Sequence, residues 1–233
     1  LSPDRPERPL LGILGGLGPL ASAAFVRTLY RLDPPEREQD APRCILLSDP
    51  RFPDRTQALA RGEEDLLTEH LTAALRTLVS AGAERIVIAC FTVHAVLDRV
   101  PRELRERVVS LIDLAVDGVA ALAPSDVPVL LLSTSGSRRS GLFTGHPRWG
   151  TVASRVRLPA DADQEELHRR LYELKQGRAP ESMLPWLEEL CTRYEVSGFV
   201  FGCTELHLVR ESVCRIGDWR IIDPLLRAAR TLA

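Results

Sequence analysis

Short apolar runs alternate with longer amphipathic stretches along this chain. The runs are Leu10–Leu14, Cys44–Ser48, Arg85–Ala89, Val108–Ile112, Val127–Ser133, Thr151–Leu158, Gly198–Phe201 and Arg220–Ile222. They are apolar almost throughout, which fits strands covered on both faces. Between them, Leu20–Leu32, Gly62–Ala81, Asp161–Lys175 and Glu181–Tyr194 carry apolar residues at helical spacing. In the second stretch Leu66, Leu67, Leu71, Ala74, Leu75 and Leu78 form one stripe. Alternating strands and helices predict an α/β fold with parallel sheets. Ala123-Pro124-Ser125-Asp126 reads as a connector that divides the strands into two sets of about four. The expected organisation is a frayed tail over 1–9, a first α/β lobe over 10–124 and a second over 125–218.

Composition narrows the function. The 233 residues carry 30 Lys and Arg against 32 Asp and Glu, a net charge of −2. That balance lacks the basic excess of a nucleic-acid-binding surface. The apolar runs are too short to span a bilayer. The opening, Leu1–Pro9, is polar and shows no secretory signal. Five cysteines, an odd number without a dense framework, fit free thiols in a reducing cytoplasm. Cysteine chemistry is therefore open to this protein.

Two cysteines stand out because their surroundings repeat. Cys90-Phe91-Thr92-Val93-His94 and Cys203-Thr204-Glu205-Leu206-His207 each follow a strand. Open α/β sheets bind ligands at that end of their strands. A thiol there sits near helix amides that favour thiolate. Two such thiols facing one another could remove a proton from one side of a stereocentre and return it to the other. Two other readings stay open on spacing alone. Both could be buried packing thiols. With His94 and His207 they could also form a Cys₂His₂ zinc set. Cys44, Cys191 and Cys214 have no such context.

Other residues carry a bland reading beside a functional one. Gly16-x-Gly18-x-x-Ala21 fits a dinucleotide fingerprint, but the acidic residue after it, Asp49, lies beyond the usual spacing of about 20. A tight strand–helix turn, with amides able to meet a carboxylate, is the alternative. Arg55 follows Asp54 and could be a surface ion pair. Lys175 closes a highly charged helix. His94 and His207 could tune the thiols or simply pack. Glu205 could orient His207 or a substrate amine, or act as a first-turn helix acid. Arg138-Arg139 reads as an exposed loop pair.

Six segments in order resemble the aspartate/glutamate racemase family. They are Gly12–Ala21, Phe52–Thr56, Cys90–His94, Ser133–Ser137 with Ser140–Leu142, Leu174–Gly177 and Gly202–Leu206. The resemblance implies two pseudo-symmetric lobes with the active site in the cleft between them, and a C-terminal return, about 219–233, to the first lobe. It implies racemisation without pyridoxal phosphate or any other cofactor, by Cys90 and Cys203 as acid/base pair, in a homodimer acting on a small carboxylate or amino acid. Carried over by position, Gly16, Leu17, Arg55, Phe91, Thr92, Ser133, Ser135, Lys175 and Thr204 would hold the substrate. Position 91 departs from the pattern. The family's Asn is Phe91 here, which loses the amide's hydrogen bonds and adds an apolar surface, whether its ring faces the cleft or points away from it. That departure motivates two alternatives: an isomerase or decarboxylase of the same superfamily using covalent cysteine chemistry on a modified carboxylate, and a carboxylate-binding homologue without turnover.

Overall fold

A computed structural model describes residues 9–32, 34–123 and 127–232. Residues 1–8 of the expected tail, and 124–126 of the expected connector, lie outside the described residues. The described chain forms two parallel sheets flanked by helices. The first has β1 (Leu11–Gly15), β2 (Cys44–Ser48) and β3 (Arg85–Ile88), in the order β2-β1-β3. The second has β4 (Val129–Ser133), β5 (Val156–Arg157), β6 (Gly198–Gly202) and β7 (Arg220–Ile222), in the order β5-β4-β6-β7. β1, β3, β4 and β6 contain almost only buried residues, which is why their sequences lack polar alternation.

The two sheets repeat one plan. Each begins at an inner strand, crosses to one edge and returns to the other side of the first strand. The fourth position differs. The expected strand Val108–Ile112 is reduced to a single parallel bridge between Val108 and Ile86, where β7 stands beside β6 in the second sheet. The Ser110 side chain accepts the Asp113 amide at 3.0 Å and starts the helix Leu111–Ala120. That cap turns the rest of the run helical. The expected strand Thr151–Leu158 is likewise mostly helical. Trp149–Val152 and Ala153–Arg155 form turns of helix, and only Val156–Arg157 pairs. Its buried Val152 and Val156 stand four residues apart, one helical turn, so the apolar spacing suited either form.

Helices cover the sheets with narrow stripes. On Glu64–Ser80, Leu67, Leu71, Leu75 and Leu78 are buried, while Leu66 of the expected stripe is exposed. Asp161–Lys175 is a helix as expected. The stretch from Glu181 opens as a short 3-10 turn, Pro180–Met183, before the helix Leu184–Tyr194. Helix Pro224–Leu232 packs on both Pro19–Leu32 and Leu111–Ala120. One apolar cluster joins Ile13 and Phe25 with Val129, Leu131, Val200 and Leu225, so the two halves share a core. The C-terminal helix follows β7 directly. Residues 220–222, expected to belong to the return, are hydrogen-bonded into the second sheet.

Candidate active site

Leu14 stands opposite Ile88 in the first sheet, and Ser133 opposite Gly202 in the second. The inner strands thus end level, and Cys90 and Cys203 follow at those carboxyl ends. Each lies between neighbouring strands whose connections leave in opposite directions, the switch point at which α/β sheets form a crevice. The turn after β1 is tight. Gly16 has φ of +84°, and a Cβ there would run into the Asp49 backbone. Only glycine meets both conditions. After β4, Thr134 caps the short helix Ser135–Arg139.

The two cysteine segments meet directly. Thr204 Oγ1 donates to the Ala89 carbonyl at 3.1 Å. Ala89 adjoins Cys90, and Thr204 adjoins Cys203. Beside this contact, the hydroxyls of Thr92, Thr134 and Ser137 form a buried ring with separations of 3.0, 3.0 and 3.1 Å. Each can donate to the next, so none is left unpaired. A further bond crosses between the halves: Tyr172 Oη donates to Asp54 Oδ2 at 2.6 Å. Asp54 also accepts the Gln57 amide at 2.9 Å, capping the helix Arg55–Ala60.

Charge is concentrated at this meeting point. Arg55 is buried, and its guanidinium donates to the Leu17 carbonyl and, at 3.1 Å, to that of Pro53. Burial works against its charge, but the neighbouring Cys90 sulfur and Asp54 carboxylate outweigh it and raise its pKa. Its Nε has no partner. Lys175 follows the same pattern: burial opposes its charge, while Glu205 and Cys203 more than restore it. Its Nζ lies 4.2 Å from the centre of the Tyr172 ring, within cation–π range. Cys203 Sγ donates to Glu205 Oε2 at 2.8 Å. Burial and the Glu205 charge together hold the Cys203 thiol well above its ordinary range. In this arrangement Cys203 is a proton donor.

The remaining expected residues divide. Leu17 offers its carbonyl to Arg55. The Ser133 carbonyl takes Gln164 Nε2 at 2.9 Å, and the Ser135 amide faces His168 Nδ1 at 3.4 Å. Phe91 is turned into the core. It is buried and stacks on Phe143 with centroids 5.5 Å apart, so its ring is engaged in packing. Neither expected histidine bonds to a thiol. His94 Nδ1 faces the Cys90 carbonyl at 2.8 Å, and burial lowers its pKa. His207 sits between Thr28 at 2.8 Å and Asp223 at 2.6 Å. The possible Cys₂His₂ set is therefore not assembled, and among the described residues no three His, Cys, Asp or Glu side chains gather to hold a metal ion. Ser137 and Tyr172 were not among the expected site residues, and Asp54 was expected only as an ion-pair partner of Arg55. One signal was available for Tyr172: it precedes Lys175 by three residues and so shares its helix face.

The fold and the cleft define a two-lobed α/β protein with paired cysteine segments at its centre. Residues 14–232 match the model of the Asp/Glu/Hydantoin racemase family, and the chain belongs to that family. Among solved structures it is similar to the Picrophilus torridus aspartate racemase, at 24% identity and a TM-score of 0.79, covering 95% of this chain and 94% of that one. An aspartate racemase homologue from Pyrococcus horikoshii shares 26% identity with a TM-score of 0.68, covering 95% and 96%. The Francisella tularensis glutamate racemase, solved with D-glutamate, shares 20% identity with a TM-score of 0.64, covering 97% and 79%. Among the described residues no helix is long and apolar enough to cross a membrane.

Proposed function

We propose that this protein is a cofactor-independent amino-acid racemase or epimerase in which Cys90 and Cys203 move the Cα proton on opposite faces of the substrate. The observation that carries this reading is the Thr204–Ala89 hydrogen bond, which brings the two cysteine segments together at the ends of both sheets. In one direction the Cys90 thiolate takes the proton and becomes a thiol. The C–H electron pair moves onto the α-carboxylate. The Cys203 thiol then gives its proton to the other face and is left as thiolate. The reverse direction exchanges the two roles, as racemisation requires. The Arg55 cation beside Cys90 suits negative charge on that sulfur, and the thiol–Glu205 bond suits Cys203 as the starting acid.

The substrate in this reading is a small amino acid with a second carboxylate. Arg55, with its unpartnered Nε, takes one carboxylate, and Lys175 the other. Gly16 and Leu17 supply the backbone wall, with Thr92, Ser133, Ser135 and Thr204 forming the rim. Preorganised donors around the carboxylate spread the carbanion charge without a cofactor. The reading extends to a homodimer in the cytoplasm, in keeping with five free cysteines. The covalent alternative drew on the loss of the family's Asn at position 91; with the Phe91 ring packed on Phe143, that position offers a ligand no side-chain polar group.

Chiral chromatography tests the reading. Purified protein incubated with each enantiomer of aspartate and glutamate should carry at least one pair to a near-equal mixture from both sides. Unchanged enantiomeric purity for every amino acid tried would overturn it.

A further inference from the structure

We propose that the free oxygen of Glu205 is the acceptor for the substrate's α-ammonium group. The inference rests on the amino-acid racemase reading and adds the residue that recognises the amine. Four buried side-chain atoms lack a partner among the described residues, and beyond His94 Nε2 and Arg227 Nε the inference starts from two. One is a donor, Arg55 Nε; the other is an acceptor, Glu205 Oε1. Both residues are buried, at 8% and 3% exposure. An unpaired buried polar atom is costly, so such atoms mark a strained or ligand-ready site. A donor cation and an acceptor anion in one cleft complement the carboxylate and ammonium of an amino acid.

The other carboxylate beside Arg55, Asp54, is taken up by the Tyr172 hydroxyl and the Gln57 amide. The Thr204 hydroxyl donates to the Ala89 carbonyl, and those of Thr92, Thr134 and Ser137 satisfy one another. The Leu17 carbonyl holds Arg55. Phe91 contributes an aromatic ring packed on Phe143. Glu205 is anchored by its other oxygen, which accepts from Cys203 Sγ at 2.8 Å. Its free oxygen faces Gly18, where a Cβ would collide with it. Glycine there lets the carboxylate lie against the turn after β1. An ammonium at Oε1 would also lie next to the sulfur that delivers the proton to Cα.

Binding of matched ligands separates this role from a structural one. Calorimetry would compare L-aspartate with succinate, and L-glutamate with glutarate, on the wild type, Glu205→Gln and Glu205→Asp. Each pair differs only in the amine. A charge-assisted bond to the amine predicts that Glu205→Gln weakens the binding of at least one amino acid about 10-fold or more, and of its amine-free partner less than about twofold. Glu205→Asp, which keeps the charge but draws it back, should fall between. If Glu205→Gln weakens both members of a pair equally, or neither, the assignment fails and the racemase reading stands. If the wild type binds none of the four probes, the amino-dicarboxylate reading of the cleft fails, and the assignment with it.

Discussion

Tyr172 serves both ends of the cleft with one side chain. Its hydroxyl donates to Asp54, which caps the helix that begins with Arg55, and its ring carries the Lys175 ammonium. It therefore fixes the separation of two cations that would meet the substrate's carboxylates. Tyr172→Phe keeps the ring and removes the bond to Asp54. The expected cost is about 1 kcal/mol in stability, read from the urea midpoint. The expected kinetic effect is a rise in KM of severalfold, with a smaller change in kcat. A fall in kcat alone would contradict the positioning role. The sequence exposes some residues of this site and hides others for a physical reason. Cys90 and Cys203 were legible because each stands in a repeated local pattern after an apolar run. Asp54–Tyr172 and the bonds of Thr92 to Thr134 and Ser137 are pairings across the two halves, which no local pattern carries. Phe91 was legible as a departure, but only packing against Phe143 reveals where its ring goes.

The turn after β1 holds two glycines with different duties. Gly16 has a left-handed backbone and lies against Asp49, so Gly16→Ala should destabilise the fold by about 1–3 kcal/mol or more. Gly18 has no such conformation; its Cβ would meet the Glu205 carboxylate. Gly18→Ala should therefore leave thermal stability within about 1 kcal/mol while lowering kcat/KM at least tenfold. Equal stability losses in the two variants would contradict this division. The inner strands were readable from sequence because strands buried on both faces leave an uninterrupted apolar run. The edges were not. Val108–Ile112 and Thr151–Leu158 have strand-like composition, yet a serine cap turns the end of the first into helix and a one-turn apolar spacing most of the second. Short segments at a sheet's rim have little packing to overrule such local signals.

At the scale of the molecule, the two halves form one body around a shared apolar cluster, closed by the C-terminal helix. Asp223 ties that helix to the cleft, accepting the Leu225 amide at 3.0 Å and facing His207 across 2.6 Å. The thiols give this body a pH signature. Burial holds Cys203 well above its ordinary value and Cys191 up to about 11. In the unfolded chain both ionise near a pH of about 8.5. Above that value the unfolded state sheds protons that the folded state keeps, so stability is lost as pH rises toward 11. Urea midpoints should fall between neutral pH and roughly 10, and Cys203→Ala combined with Cys191→Ala should flatten part of the fall. A slope unaffected by the pair would contradict the assignment.

The central claim is that two thiols work from opposite faces of one carbon. Its most direct test is proton NMR in D₂O, following the Cα signal of each enantiomer of the active amino acid with wild type, Cys90→Ala and Cys203→Ala. The account predicts that wild type exchanges the Cα proton of both enantiomers for deuterium, and that each single variant loses interconversion. Racemisation that survives the removal of either cysteine would contradict it.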